Sequence, residues 1–110
     1  MKYATHNTTD IPFETTWLQG YIETPFSVLK DFFGQPHDGD QYKVDAEWDI
    51  KFQDGTVATI YNWKNGKSYH GPTGLDVQDI GVWHIGGNSE RSVDLIQEVL
   101  KHDALVTYAK

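Results

Sequence analysis

The run Ala46-Glu47-Trp48-Asp49-Ile50-Lys51-Phe52-Gln53-Asp54-Gly55-Thr56-Val57-Ala58-Thr59-Ile60-Tyr61-Asn62-Trp63 decides the fold. Its first half alternates. Ala46, Trp48, Ile50 and Phe52 stand at every second position, with Glu47, Asp49, Lys51 and Gln53 between and after them. Successive side chains of a strand point to opposite faces, so this pattern predicts an antiparallel strand with one apolar and one wet face. Asp54-Gly55 is a strong hairpin signal, because tight hairpin turns need residues that tolerate positive φ. Thr56 to Trp63 then reads as the returning strand. A two-residue turn sets Phe52 opposite Val57, Ile50 opposite Thr59 and Trp48 opposite Tyr61, which stacks the aromatics together. That register is the expectation; a bulged turn would shift it by one residue and bury Ala58 and Ile60 instead.

Working outward, Thr15 to Glu23 reads as a strand carrying Trp17, Leu18, Tyr21 and Ile22, with Gly20 marking a bulge. Thr24 and Pro25 read as a hydroxyl N-cap and the first position of a helix. Phe26, Leu29, Phe32 and Phe33 form the helix's apolar stripe, and Gly34 and Pro36 end it. Downstream, Lys64 to Gly81 is a long segment punctuated by Asn65-Gly66, Gly71-Pro72 and Gly74, with room for a short strand at Lys67–His70. Val82 to Ile85 reads as the last core strand, and Gly86, Gly87 and Asn88 as a turn. Asn88 or Ser89 would cap a second helix with Val93, Ile96, Val99 and Leu100 on one side. Residues 1–14 read as a flexible leader and 15–110 as a single domain. The expected class is α+β in the order β-α-β-β-β-α, an antiparallel sheet with two helices packed on one face.

The chain has 110 residues, and 9 Lys plus Arg stand against 16 Asp plus Glu, a net charge of −7. This acidity argues against broad nucleic-acid binding, which needs a basic face. With 4 Trp, 6 Tyr and 5 Phe, the chain is too rich in rings to be disordered. Some rings are expected at a subunit interface of a homo-oligomer. No apolar run approaches the roughly 20 residues of a membrane-spanning helix, and Met1 to Asp10 is polar. Cysteine is absent, which removes disulfides, thiolate metal sites and a cysteine nucleophile.

Candidate chemistry concentrates at the end of the hairpin. Tyr61-Asn62-Trp63-Lys64-Asn65-Gly66-Lys67-Ser68-Tyr69-His70 mixes rings, cations and amides inside an acidic chain. Rings stack on bases and lysines neutralise phosphate, which is what a small anionic ligand requires. The plainer alternative is that Tyr61 and Trp63 are sheet core and the lysines only solubilise the loop. Gly86, Gly87, Asn88 and Ser89 precede a helix, where backbone amides can hold a phosphate. The expected ligand-binding set is Trp63, Lys64, Lys67, Tyr69, His70, Trp83, His84, Gly86 and Gly87, with no catalytic residue, metal or cofactor. None of the five histidines, His6, His37, His70, His84 and His102, has metal-ligand spacing. Glu47 and Asp49 share a strand face and read as solvated carboxylates.

The segments Gly20-Tyr21-Ile22-Glu23-Thr24, Phe33-Gly34-Gln35-Pro36, Tyr42 to Trp48, Asp54 to Lys64 and Trp83-His84-Ile85-Gly86-Gly87 together resemble a group of small phage-encoded proteins. The resemblance spans roughly residues 17–100. It implies a viral accessory protein acting in the bacterial cytoplasm against a host defence. The expected function is a non-enzymatic sponge that sequesters a nucleotide immune signal. Two rivals are an acidic protein–protein inhibitor of a host nuclease or CRISPR effector, and a small nucleotide hydrolase using His70 or His84. A pocket at the long loop would favour the sponge, and a flat acidic strand face the inhibitor.

Overall fold

A computed structural model describes residues 2–7, 16–101 and 107–109. Alternation at Trp48, Ile50 and Phe52 does produce a strand, β3 (Glu47–Phe52), and β4 (Val57–Tyr61) returns beside it. The register, however, is the shifted one: Trp48 faces Ile60, Ile50 faces Ala58 and Glu47 faces Tyr61. The turn supplies the reason. Phe52 N–H donates to Thr56 O at 2.8 Å and Gly55 N–H to Phe52 O at 3.0 Å, with Gly55 at φ 90°. Gln53, Asp54 and Gly55 therefore form a three-residue loop, and Asp54 Oδ1 holds it by accepting from Thr56 N–H at 3.0 Å. Aliphatic Ala58 and Ile60 are fully buried, and Tyr61 moves to the opposite face.

The other strands are β1 (Tyr3–Thr5), β2 (Trp17–Glu23), β5 (Val82–Gly87) and β6 (Thr107–Ala109). Among the described residues they build one antiparallel sheet in the order β1-β3-β4-β5-β2-β6. The α+β class thus holds, while the element order differs from the expected one. Tyr3–Thr5 is a paired edge strand rather than leader: Tyr3 packs edge-on against Phe33, its ring centroid 5.5 Å away. The rest of the expected leader, from residue 8 on, lies outside the described residues. β2 carries an irregularity between Leu18 and Gly20, where Gly20 suggested one.

Helix α1 (Phe26–Phe33) starts one residue later than expected. Pro25 is its N-cap, and the buried Thr24 hydroxyl does not cap it. Helix α3 (Arg91–Leu100) also begins without a side-chain cap; Ser92 N–H bonds the Ser89 carbonyl at 3.1 Å instead. Both helices feed the core. Leu29, Phe33, Val93, Ile96 and Leu100 join Trp48, Ile50, Phe52, Ile60, Trp83 and Ile85 in one buried cluster. The connection from β4 to β5 contains a helical turn, α2 (Lys67–His70), where a strand was expected. β5 runs on through Gly86 and Gly87, so these are strand residues and not a turn. Gly87 lets α3 approach the sheet closely: a Cβ there would strike the Ser92 side chain. Among the described residues, no helix is long and apolar enough to cross a membrane.

Candidate functional site

With Trp48 and Ile50 facing the helices, alternation sends Glu47 and Asp49 to the opposite, open face of the sheet. Cross-strand pairing sets Thr59 beside Asp49 and Tyr61 beside Glu47, and Gly86 beside Thr59 on β5. These residues floor a concave pocket of about 390 Å³. Thr16, Trp17, Trp63, Asp40 and Val44 complete its lining.

His37 is brought to the two carboxyl groups by backbone pairing. Its N–H donates to Glu47 O at 3.0 Å and its carbonyl accepts from Glu47 N–H at 2.9 Å, an isolated antiparallel bridge. The imidazole Nε2 then lies 2.8 Å from Asp49 Oδ2 and 3.1 Å from Glu47 Oε2. Gly39 N–H donates to Nδ1 at 3.1 Å. A ring nitrogen that accepts a hydrogen bond carries no hydrogen, so the hydrogen sits on Nε2 and is donated to the carboxyl pair.

These three side chains place ligand-type atoms within 4.8 Å of one another, a spacing a divalent cation could use. The tautomer opposes that use. A cation on Nε2 would force the hydrogen onto Nδ1, directly against the Gly39 N–H. The group is better described as a hydrogen-bonded cluster. Burial, together with hydrogen bonding to Asp49 and the charges of Asp49 and Asp40, pushes the Glu47 carboxyl up to about 9. The neutral form of Glu47 is therefore favoured, with its proton shared with Asp49. Asp49 supplies accepting oxygens, and its buried Oδ1 has no hydrogen-bond partner among the described residues.

The surround of Trp63, outside the residues that line the pocket, has the opposite electrostatic character. Lys43 Nζ lies 5.4 Å and Lys64 Nζ 5.8 Å from the Trp63 ring. Lys64 also lies 5.6 Å from the Tyr69 ring, which in turn packs 5.7 Å from Tyr42. Two local devices hold this surround. Asp40 Oδ1 accepts the backbone N–H groups of Tyr42, Lys43 and Val44, each at 2.9 Å, and these bonds draw its pKa down. The fully buried Asn62 accepts from Asp45 and Ala46 N–H at 2.7 and 3.1 Å and donates to Asp45 Oδ2 at 2.9 Å.

Of the residues singled out from the sequence, Trp63 is a pocket wall and Gly86 part of the floor. Lys64 lies beside the rings of Trp63 and Tyr69, and neither Lys64 nor Tyr69 is among the residues lining the pocket. Lys67 is turned to Asp76, 2.7 Å away and likewise exposed, and that carboxylate raises its pKa. His70 Nε2 is held 2.7 Å from the Lys64 carbonyl. His84 packs against the rings of Tyr21, Tyr61 and Trp63, and burial lowers its pKa. Of the nine expected residues only Trp63 and Gly86 line this pocket, and Trp83 and Gly87 lie on the opposite, helix side of the sheet. Trp83 is fully buried on the helix side, its indole N–H bonded to Thr24 O at 3.0 Å, because odd positions of β5 face the core. Gly87 packs against Ser92, and the amides of Gly86 and Gly87 belong to strand β5 rather than to an anion-binding turn.

Trp17, Lys43 and His37 were not legible as site residues, and Glu47 and Asp49 read as solvated when they are in fact drawn into the pocket. The usable signal was the shared face of Glu47, Asp49 and, in the bulged register, Tyr61. Comparison with known protein families, curated proteins and solved structures gives no match.

Proposed function

We propose that the protein is a non-enzymatic binding protein whose open-face pocket takes a nucleotide-type ligand. The ring of the ligand enters against Trp17, Tyr61 and Trp63, and its phosphate stays outside at Lys43 and Lys64. One observation carries this reading: aromatic walls and two cations meet at Trp63, while the cavity itself is lined by Asp40, Glu47 and Asp49 and, among the described residues, by no lysine or arginine. A phosphate inside would face three carboxyl groups; a phosphate outside it meets two ammonium groups. In the setting implied by the resemblance to phage accessory proteins, such a pocket would sequester a nucleotide immune signal.

The inhibitor reading is less well supported, since it needs a flat acidic strand face, and Glu47 and Asp49 instead turn into a pocket and bond His37. The hydrolase reading named His70 and His84, and neither lines the pocket. The test is titration of the protein with ribonucleoside 5′-monophosphates and cyclic dinucleotides, followed by tryptophan fluorescence and calorimetry. Saturable quenching is expected, with the ligand recovered unchanged after denaturation. No binding of any of them at millimolar concentration, or recovery of a cleaved product, overturns the proposal.

A further inference from the structure

We infer that the ligand is a dinucleotide: one base enters the pocket against Trp63, the linking phosphate meets Lys43 and Lys64, and the second base stacks outside the pocket on Tyr42 and Tyr69. This inference rests on the binding reading above and adds the other half of the ligand. Exposure is the first observation. Trp63, Tyr42 and Tyr69 keep 39%, 58% and 40% of their surfaces open to solvent, so each presents a ring to a ligand. Tyr42 and Tyr69 pack on each other, their centroids 5.7 Å apart with 37° between the planes, and make one joint platform. The lysines are the second observation. Lys43 Nζ is 5.5 Å from the Tyr42 ring and 5.4 Å from the Trp63 ring; Lys64 Nζ is 5.6 Å from the Tyr69 ring and 5.8 Å from the Trp63 ring. Each ammonium group therefore serves both platforms, and an anion held by the pair lies next to two aromatic surfaces. Neither lysine is held in a salt bridge among the described residues, whereas Lys67, Arg91 and Lys101 are.

Local structure holds this arrangement in place. Gln41 and Lys64 have φ of 57° and 58°, and no other non-glycine residue among the described ones has a positive φ. Side chains other than glycine rarely adopt that conformation, and it persists where the surroundings enforce it. Gln41 turns the chain into Tyr42, and the three amide bonds to Asp40 Oδ1 fix the loop that follows. Lys64 turns the chain from β4 towards α2, and its N–H bonds Lys43 O at 2.8 Å. Asp45 Oδ1 accepts Ser68 N–H at 2.8 Å and so anchors the helical turn that carries Tyr69. Both unusual backbone positions thus serve the second platform and its lysines. Charge sets the length of the ligand. A chain of net charge −7 repels a long polyanion, while a single phosphate linkage is matched by the two lysines. A mononucleotide would leave Tyr42 and Tyr69 unused.

The experiment compares ligands that differ in the second base. For adenosine, guanosine, cytidine and uridine, calorimetric titration uses the dinucleoside monophosphate of two identical nucleosides and the matching cyclic dinucleotide. The controls are the 3′- and 5′-(methyl phosphate) esters of the same nucleoside, which keep a phosphodiester and lack the second base. For whichever base the parent chain binds, the linear or the cyclic dinucleotide should bind about tenfold to a hundredfold more tightly than either methyl ester, one per chain. In the double variant Tyr42→Ala, Tyr69→Ala the dinucleotide should fall to the level of the methyl esters, whose own binding should not change. Dinucleotides that bind no more tightly than the methyl esters, or equal losses of both kinds of ligand in the variant at unchanged melting temperature, overturn the inference and leave the pocket reading standing. A complex of one dinucleotide with two chains does the same, because the second base then meets another copy. Failure of the parent chain to bind any of these nucleotides overturns the pocket reading and this inference with it. The ligand series requires no variant, so a variant that does not fold leaves the test intact.

Discussion

Glu47 is a carboxyl group whose neighbours work against its charge. Desolvation comes first, and the adjacent Asp49 adds to it, so its pKa rises from 4.5 to about 9. The consequence for stability has a definite sign. The folded chain binds a proton that the unfolded chain releases above 4.5, so this contribution is complete below that value and is lost as pH rises towards 9. His84 acts in the other direction, because burial lowers its pKa and its contribution grows as pH rises through the ordinary histidine range. The two are separated by a difference measurement. Glu47→Gln removes the titrating group and keeps the shape, so its melting temperature should gain on the parent's steadily between about pH 5 and pH 9. A constant gap between the two melting curves across that range would show that Glu47 is ionised in the folded chain. The sequence showed that Glu47 and Asp49 share a strand face. It could not show that His37, ten positions before Glu47, pairs with it through an isolated backbone bridge.

At the scale of elements, the hairpin explains what was legible and what was not. Alternation over Ala46 to Phe52 is a property of one strand and is readable in one strand. Register is a property of two strands and a turn, and a one-residue loop difference moves every partner to the other face. Stacking Trp48 on Tyr61 favoured the two-residue turn. Burying Ala58 and Ile60 beneath the helices is the arrangement found, and it frees Tyr61 for the pocket. Trp48 remains the centre of the core, fully buried against Phe26 and Trp83, with its indole N–H on Gly34 O at 2.7 Å. Trp48→Ala should cost roughly 3–5 kcal/mol in denaturant unfolding; a loss below about 1 kcal/mol would contradict this packing. The segment after β4 depends on Asn62 in a different way. Its side chain binds the backbone of Asp45 and Ala46 and the Asn65 side chain at 3.0 Å, while Asp45 Oδ1 accepts Ser68 N–H at 2.8 Å. Asn62→Ala leaves those buried N–H groups unpaired and should cost about 1–3 kcal/mol. Amide exchange should rise first at Asp45 and Ala46, and unchanged protection there would show that the clamp is dispensable.

For the whole molecule, the net charge and the local field at the pocket point in opposite directions. A chain of net charge −7 repels anions at long range, yet Lys43 and Lys64 stand over the same indole, that of the pocket-lining Trp63. The sequence made Lys64 and Lys67 the natural pair, because they are near neighbours in one loop. Folding breaks that pairing by giving Lys67 to Asp76, and replaces it with Lys43, which comes from before β3 and meets Lys64 through the bond from Lys64 N–H to Lys43 O at 2.8 Å. This exchange makes a prediction about the ligand's two ends. Replacing both Lys43 and Lys64 with alanine should leave the melting temperature nearly unchanged, since Lys64 is exposed, Lys43 is only half-buried, and charges so placed contribute little to stability. It should weaken a nucleoside monophosphate and spare the corresponding nucleoside, whose buried ring never meets the lysines. Lys67→Ala should weaken neither ligand. Raising salt should weaken the parent chain's monophosphate binding towards the level of the nucleoside, because charges outside the pocket are screened over about 10 Å at 0.1 M salt. Calorimetric titration of both ligands at two salt concentrations decides the matter. If the double variant weakens nucleoside and monophosphate equally, the phosphate is not at these lysines, and the ligand sits in the pocket the other way round or not at all.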